Sequence, residues 1–492
     1  MKQLSISNQS SQEKVKRKRT TCKECRRTRE CIEKHEICHV CYNINKILKP
    51  KTSGNKVIDD FIRYTQTNYV DKDGKMEFAP YEQFENIEFI ASGGFSKIYK
   101  ATWVDGPINN WCNIKRYTYS ISRSHNCTVV LKTLNDLNNI TSNDLNELKL
   151  YYQIFTENYK SNGVSKYLGI TLDPKTKEIM IIMPYYESGD LVHYITNDFY
   201  KMNWEKKLDY LFNIVDGLAI LHKLGIVHRD LHSGNIFFDK YDVVIGDLGI
   251  SKSAIESDND DNEIYGIIPY MAPEIFHRQK YTTASDIYSF GMIMWEFMTG
   301  RRPFWNKTHD SELIIRICDG LRPPVVTNAP EGYVELMKEC WDPVPKERPT
   351  AAEIYNKIKK IKYEENQNPT KINVESADIG PAVINSQETI YNSRSLSKMI
   401  QSAMSSRSSR SLSIDSELDP FYYYQRNSTA SSTDKRKFEN DSVEDDHNEQ
   451  SIKKSKLLEN HDSFTRETEL DVRKQSCNNE YITKEFDLDI NL

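Results

Sequence analysis

The stretch His228–Asn235, with the sequence HRDLHSGN, is a polar loop near the centre of the longest periodic, apolar part of the chain. It follows WEKKLDYLFNIVDGLAILHKLG, in which leucine and valine recur at three- and four-residue spacings. This pattern predicts an amphipathic helix that ends beside Gly225. Twelve residues beyond Asn235 comes Asp247-Leu248-Gly249. Two carboxylates, Asp230 and Asp247, and one amide, that of Asn235, therefore follow this helix in two short segments.

The segments on either side of this loop differ in pattern. Upstream, FENIEFIASGGFSKIYKATWV, TVVLKTL and EIMIIMPYY read as strands joined by turns. Downstream, DIYSFGMIMWEFMT is apolar almost all round, which predicts a buried helix. The pattern therefore predicts an α+β fold over residues 81–363, with a small antiparallel β lobe followed by a larger α-helical lobe.

The rest of the chain divides by composition. Among its 492 residues 38% are apolar and 28% charged, with a net charge of −5, which argues against a polyanion-binding protein and predicts disorder in some segment. Residues 1–20 form a basic arm, 21–45 hold five cysteines and 46–80 form a linker. Residues 364–492 are rich in serine and asparagine and are predicted to be a disordered tail.

Four segments, taken in their order along the chain, resemble those of the catalytic domain of eukaryotic protein kinases. HRDLHSGN is similar to their catalytic loop and DLG to their metal-binding element, while Ala272-Pro273-Glu274 closes the activation segment. Val129–Lys132, VVLK, is similar to the strand that carries their phosphate-binding lysine. The resemblance covers a little over half of the chain and implies a two-lobed kinase fold.

The resemblance implies a role for each matched residue, with ATP as the phosphoryl donor. Lys132 would hold the α- and β-phosphates, and Glu147 on the next predicted helix would fix this lysine unless it is an ordinary exposed helical glutamate. Asp247 and Asn235 would supply oxygen ligands to Mg²⁺, a hard cation. Asp230 would orient the substrate hydroxyl and accept its proton.

The nucleotide pocket is implied by three further segments. A phosphate-covering loop departs from the glycine-rich pattern, because Ala91 and Ser96 replace its first and third glycines. In the segment between the lobes, the Pro184 carbonyl and the Tyr186 N–H would bind adenine. Proline is compatible with this role because it lacks only the backbone N–H and keeps its carbonyl. The implied pocket residues are Ala91, Gly93, Gly94, Ser96, Ile98, Val130, Lys132, Met183, Pro184 and Tyr186.

Other matched positions suggest a group within the family. WEFMTGRRPF, WDPVPKERPT and MAPE resemble the tyrosine-kinase-like group, whose members mostly phosphorylate serine and threonine. His232 and Ile267 stand where serine/threonine kinases usually have Lys and Thr, so dual or tyrosine specificity stays open. The altered glycine-rich loop leaves a pseudokinase scaffold as a further alternative. Arg348 would pair with Glu274, and Asp286 would bind the catalytic-loop backbone.

The activation segment offers a hypothesis about basal activity. Its acceptors for an upstream or autophosphorylating kinase are Ser251, Ser253, Ser257 and Tyr265. Its acidic residues are Asp258, Asp260, Asp261 and Glu263, which partly replace a phosphate near Arg229 under this hypothesis. The alternative is a solvated loop with no such role.

The cysteine cluster has the spacing of a metal site. Cys22-x2-Cys25, twelve residues and Cys38-x2-Cys41 resemble a short zinc ribbon, with Cys31, His35 and His39 as spare ligands. A structural Zn²⁺ would supply the folding energy that so few residues lack. The alternatives are scattered reduced cysteines, or nucleic-acid binding through Arg26, Arg27 and Arg29, although protein docking or a purely structural zinc is commoner.

Location is predicted from what the sequence lacks and from two basic runs. No run approaches the roughly 18 apolar residues of a membrane span, so a cytoplasmic protein with protein substrates and no membrane partner is expected. Lys435–Lys437 and Lys453–Lys456 resemble a bipartite nuclear-import signal, so nuclear entry is an alternative. Arg394-x-x-Ser397 is a candidate modification site.

Overall fold

The structure is a computed structural model that describes residues 17–32, 34–48, 51–68, 74–92, 96–109, 111, 122–134, 143–156, 163–239, 242–249, 251–253, 263–325, 329–370, 378–382 and 389–409. Within these ranges no helix is both long and apolar enough to cross a bilayer. Most of the predicted basic arm, Gly93 and Gly94, and both basic runs of the tail lie outside the described residues.

The described elements are short strands and α-helices, with strands prevailing in the first half of the chain and helices in the second. The strands are β1 (Arg17–Thr21), β2 (Thr28–Ile32), β3 (Ile37–Cys38), β4 (Glu77–Phe78), β5 (Phe84–Ser92), β6 (Lys97–Trp103), β7 (Cys127–Thr133), β8 (Gly169–Leu172), β9 (Ile179–Pro184), β10 (Ile226–Val227), β11 (Ile236–Asp239), β12 (Asp242–Ile245), β13 (Lys252–Ser253), β14 (Tyr265–Gly266) and β15 (Arg394–Ser395). The helices are α1 (His39–Leu48), α2 (Lys56–Thr67), α3 (Asn146–Thr156), α4 (Leu191–Asp198), α5 (Trp204–Lys223), α6 (Pro273–Phe276), α7 (Thr283–Thr299), α8 (Ser311–Cys318), α9 (Tyr333–Cys340), α10 (Ala351–Gln367) and α11 (Ser397–Ser409).

The smaller lobe is a six-stranded sheet in the order β4-β8-β9-β7-β6-β5. Neighbouring strands of this sheet are antiparallel, except that β4 and β8 are parallel. The sheet is therefore mixed at one edge, whereas the sequence predicted a purely antiparallel sheet. Along β9 the side chains alternate between faces, as a pleated strand requires. Ile181 and Met183 pack with α3, while Met180 and Ile182 pack with Trp103 on the other face.

The larger lobe is built around α7, which is buried from Ser285 to Thr299 as its apolar sequence predicts. Gly300 ends this helix with φ +74°, a left-handed conformation that glycine adopts without a steric penalty. The predicted helix before the catalytic loop is α5, and Gly225 just beyond it has φ +72°. This lobe holds the catalytic loop between α5 and β11.

The N-terminal cysteine module is larger than the predicted 21–45, because β1 begins at Arg17 and α1 continues to Leu48. The segment predicted to be a linker, 46–80, contains α2, whose Ile58 and Phe61 pack on the side of α3 in the small lobe. The three- and four-residue spacing of these apolar residues is a helical signal that composition alone does not register.

The structure also departs from the predicted disorder after residue 363. Helix α10 continues to Gln367, and residues 389–409 contain β15 and α11. We call residues 389–409 the tail strap. Its Leu396, Ile400 and Ala403 are at most 1% exposed and belong to the core of the helical lobe. The predicted disorder of residues 410–492 lies outside the described residues.

Candidate active site and metal centre

Three charged side chains from distant parts of the chain meet between the lobes. Lys132 on β7 donates to both carboxylate oxygens of Glu147 on α3, each at 3.1 Å, and to Asp247 Oδ1 at 2.6 Å. Lys132 is 6% exposed and Glu147 5%, whereas the Asp247 side chain is 43% exposed. The structure therefore joins the predicted lysine, its glutamate and the metal-binding aspartate in one cluster that is open on the Asp247 side.

Lys132 and Asp247 stabilise each other's charged form. Burial alone would lower the pKa of Lys132, but the carboxylates of Asp247 and Glu147 raise it above its ordinary value. Burial would raise the pKa of Asp247, but Lys132 holds it below its ordinary value. At neutral pH the cluster thus presents a protonated lysine beside an ionised aspartate, which suits a site for phosphate oxygens and a divalent cation.

Tyr167 completes the cluster and was not predicted. Its hydroxyl donates to Glu147 Oε1 at 2.6 Å and accepts from the backbone N–H of Leu248 at 3.4 Å. The side chain is 1% exposed, and burial together with Glu147 raises its pKa well above the ordinary value. This neutral tyrosine links the glutamate of α3 to the segment that carries Asp247. An isolated tyrosine in a sequence gives no signal for such a role.

Asp286 holds the catalytic loop in place, as the resemblance implied. Its carboxylate accepts from the backbone N–H groups of His228 at 2.8 Å and Arg229 at 3.0 Å. Asn235 Nδ2 donates to the carbonyl of Asp230 at 3.0 Å. Arg229 and Asp247 both have positive φ, at +71° and +56°, and such strain persists only where surrounding contacts fix the backbone.

His228 connects the catalytic loop to the segment that leads to Asp247. Its Nδ1 accepts the N–H of Asp230 at 3.3 Å, so its Nε2 carries the proton and donates to the Gly246 carbonyl at 3.0 Å. The N–H of Gly246 in turn donates to the Asn235 carbonyl at 2.8 Å. These bonds hold Asp230, Asn235 and the residue before Asp247 in one rigid unit.

Several residues of the predicted nucleotide pocket lie on β6, β7 and β9 or just beyond them. Ile98 pairs with Lys132, and Val130 pairs with the buried Met183, which places these side chains on neighbouring strands behind the charged cluster. The Tyr186 ring stacks on Phe237, with centroids 5.5 Å apart. Phe237, on β11 beside Asn235, was not predicted.

The phosphate-covering loop is described only at its two ends. Ala91 pairs with Ile98 across the β5–β6 hairpin and is exposed, whereas Ser96 is buried at 8% exposure. Pro184 is the last residue of β9. Proline has no backbone N–H to donate, but its carbonyl can still accept a hydrogen bond. Gly93 and Gly94, the glycines between these ends, lie outside the described residues.

The structure also forms the implied structural pair of the helical lobe. Arg348 donates to both oxygens of Glu274, at 2.7 and 2.8 Å, and its side chain is fully buried. Breaking such a pair strands a buried charge at a cost of about 3–5 kcal/mol. Loss of activity in a variant of either residue would therefore report on folding.

The activation-segment hypothesis can be followed at a few residues only. Ser251 is buried and donates to the His228 carbonyl at 3.1 Å, and the Arg229 guanidinium lies over the Tyr281 ring at 5.3 Å. Glu263 accepts a hydrogen bond from the hydroxyl of Ser395 in the tail strap. The side chain of Ser253, and all of Ser257, Asp258, Asp260 and Asp261, lie outside the described residues, so the proposed mimicry of a phosphate stays a prediction.

The four predicted cysteine ligands converge in the N-terminal module. The sulfur atoms of Cys22, Cys25, Cys38 and Cys41 all lie within 4.8 Å of one another. Cys38 donates its backbone N–H to the Cys22 sulfur at 3.1 Å. A hydrogen bond from Cys41 lowers the pKa of Cys38 to about 4, and the same bond with burial raises that of Cys41. Thiols packed this closely share protons unless a cation compensates their charge, and a tetrahedral Cys₄ set fits Zn²⁺.

Two of the spare ligands, Cys31 and His35, and one arginine of this module have other contacts. The Cys31 thiol donates to the Thr20 carbonyl at 3.4 Å, and the His35 ring stacks on Tyr42. Arg29 donates to the carbonyls of Thr67 and Asn68, at 2.7 and 3.1 Å. Arg29, one of the three arginines considered for nucleic-acid contact together with Arg26 and Arg27, therefore binds the end of α2.

The fold and the clustered side chains define a protein kinase. A family model described as protein tyrosine and serine/threonine kinase matches residues 84–358, more than half of the chain, so the chain belongs to this family. Stress-activated protein kinase alpha of Dictyostelium discoideum is 32% identical over 309 residues, which are 60% of this chain and 44% of that protein. A second protein of that organism, described as a probable serine/threonine-protein kinase, is 27% identical over 300 residues, 58% of this chain and 16% of its own length. The chain thus spans less than half of either relative.

Proposed function

We propose that this protein transfers the γ-phosphoryl group of ATP to serine and threonine hydroxyls of other proteins. The observation that carries the proposal is the cluster of Lys132, Glu147 and Asp247 beside a catalytic loop that holds Asp230 and Asn235. Both relatives are described as kinases, one of them as serine/threonine-specific. The motifs WEFMTGRRPF and MAPE favour the tyrosine-kinase-like group.

Each residue of the cluster has a separate task in this reaction. Lys132, held by Glu147, binds oxygens of the α- and β-phosphates, and Asp230 orients the attacking hydroxyl and accepts its proton. Asp247 and Asn235 would hold Mg²⁺, which when bound neutralises the negative charge of the phosphates. Tyr167 and Asp286 are positioning residues, because they act on the reaction through Glu147 and the catalytic loop.

The full chain with Asp247→Asn tests turnover against a pseudokinase scaffold. Transfer of labelled phosphate from Mg-ATP to a peptide array should fall about a hundredfold or more, because the ionised metal ligand is lost. Asp209→Asn, a half-exposed position on α5, is the matched control and should keep wild-type activity. Equal activity of wild type and Asp247→Asn would leave the scaffold as the better account.

The same array decides the hydroxyl preference. Peptides that differ only in Ser, Thr or Tyr at one position should be phosphorylated at Ser and Thr and spared at Tyr. Comparable rates at Tyr would favour the dual-specificity alternative, to which His232 and Ile267 leave room.

The second part of the proposal is a structural zinc ion held by Cys22, Cys25, Cys38 and Cys41. Support comes from the convergence of their sulfur atoms and from the small apolar core around them. Full chain purified without added metal should contain about one zinc per chain by atomic absorption, and Cys41→Ser should lose most of it. A zinc-free wild type that keeps the same thermal melt would remove this part.

A further inference from the structure

The tail strap pairs with the activation segment by backbone hydrogen bonds. Strand β15 lies antiparallel to β14, with Tyr265 opposite Ser395 and Gly266 opposite Arg394. The Ile264 carbonyl accepts from the Leu396 N–H at 2.7 Å, and the Ile264 N–H donates to Ser397 Oγ at 2.8 Å. The strap thus uses the backbone groups along the edge from residue 264 to residue 266.

This edge leads directly to the site of catalysis. Ile267, the residue after β14, lines one cavity together with Asp230, Leu231 and Met271. The end of β14 therefore lies beside Asp230, the residue that would receive the substrate hydroxyl. An extended peptide adds to an exposed strand edge through main-chain bonds, and this is the edge that β15 covers.

The strap continues across the surface next to this edge. Helix α11 packs on α8, with Ile400 and Ala403 buried together with Leu396 just before the helix, and Arg407 pairs with Asp319 at the end of α8 at 2.8 Å. On the other side of β15, the Tyr391 hydroxyl donates to the Pro303 carbonyl at 2.8 Å. The surface therefore fits an extended segment followed by a short helix with apolar residues four and three positions apart.

From this geometry we propose that the tail strap occupies the surface on which protein substrates dock, so that the chain limits its own access to them. The inference rests on the proposed kinase activity. It predicts that the strap competes with proteins that use this surface and leaves ATP binding unchanged. Ser395 is the exposed control point, because its hydroxyl donates to Glu263 and a phosphate there would face a carboxylate.

The test is a release variant of the full chain, Leu396→Asp with Ile400→Asp. If the strap is closed nine-tenths of the time, release should lower the KM for casein about tenfold, with kcat and the KM for ATP unchanged. Ser402→Asp with Ser406→Asp places the same charges on the exposed face of α11 and should leave the KM at the wild-type value. A fall in kcat with constant KM would overturn the proposal, because it would mean that the strap merely stabilises the activation segment.

A milder variant covers the case in which the buried charges prevent folding. Ser395→Glu lies at an exposed position and should lower the KM for casein about two- to fivefold through repulsion with Glu263. Adding Glu263→Gln should restore the wild-type KM. An unchanged KM in Ser395→Glu, or failure of the second change to restore it, would contradict the proposal.

A labelled synthetic peptide of residues 389–409 separates this inference from the proposed function. It should bind the release variant, casein should displace it, and ATP should leave it bound. If no variant transfers phosphate, the proposed function fails, and displacement of the peptide still decides whether strap and substrate share a surface. A peptide that casein leaves bound would overturn the inference even in an active kinase.

Discussion

The cysteine module, residues 17–48, and the tail strap both lie outside the matched kinase domain, yet both pack onto it. The module is held together by four converging sulfur atoms and a small apolar core. The strap is held by a two-residue strand pair and by apolar side chains inserted into the helical lobe. With the proposed zinc bound, the fold of the module would depend on an exchangeable ion, whereas the strap depends on burial of its own side chains.

The two segments also reach different parts of the catalytic machinery. The module contacts α2 through Arg29, and α2 contacts α3 through Tyr64 and Tyr152, whose rings meet edge to face at 5.6 Å. Helix α3 carries Glu147, which holds Lys132. The strap instead reaches the activation segment. The module is therefore linked through α2 and α3 to Lys132, whereas the strap pairs with the edge of β14.

The largest expected effect is removal of the metal ligands. Cys38→Ser with Cys41→Ser should lower zinc from about one ion per chain to near zero and abolish hydrogen-exchange protection in 17–48. Protection of α11 should stay at the wild-type level, because no cysteine of the module contributes to its packing. Loss of protection in both regions would show that the two attachments unfold as one unit. Cys318→Ser, half-buried in the helical lobe, controls for thiol loss.

A cavity in the strap should produce the next largest effect. Ile400 is fully buried, so Ile400→Ala should lower the free energy of opening of α11 by about 2–4 kcal/mol, measured by native-state hydrogen exchange. Zinc content should not change. Ser402→Ala, on the exposed face of the same helix, should change the opening free energy by less than about 0.5 kcal/mol. Equal opening energies in the two variants would contradict the packing described above.

The contact between the module and α2 should have a smaller effect. Arg29→Ala removes two hydrogen bonds to the carbonyls that end α2 and should lower the unfolding free energy by about 1–2 kcal/mol, measured by urea titration. Zinc binding should persist. Lys34→Ala, exposed in the same module, is the matched control. A variant as stable as that control would mean that the module does not support α2.

The smallest effect is expected at the exposed end of the strap. Arg407 and Asp319 form an ion pair at 2.8 Å whose side chains are 35% and 48% exposed. Arg407→Ala should lower the opening free energy of α11 by about 0.2–1 kcal/mol, less at high salt. A loss as large as that of Ile400→Ala would indicate that charge, and not apolar burial, holds the strap.

The catalytic cluster was predictable because its chemistry restricts which residues can serve. Lys132, Asp230, Asn235 and Asp247 each have a charge or ligand type that phosphoryl transfer requires, and their order along the chain narrows the assignment further. The pairing with Glu147, left open between two alternatives, is present at 3.1 Å. Tyr167 was missed because a single tyrosine in a sequence carries no signal that it will position another side chain.

The strap was missed for a different physical reason. Eleven of the 24 residues from Ser393 to Ser416 are serine, so composition averages hide Leu396, Ile400 and Ala403. These three residues would not form a core by themselves, and they are buried only because the helical lobe supplies the facing surface. In α2, by contrast, the helical spacing of Ile58, Phe61 and Ile62 was present in the sequence, but the polar residues around them gave the segment the composition of a linker.

Part of the apolar core of the cysteine module is formed by residues that lie far from the module in the sequence. Ile108 and Trp111, from the segment between β6 and β7, are 7% and 8% exposed and pack with Val40 and Ile44. A fragment ending at Leu48 would keep every metal ligand but would leave that side of its interior in water. A peptide of the first 48 residues would therefore lack part of the core of the module. A metal titration of that peptide would report the affinity of an incompletely packed module.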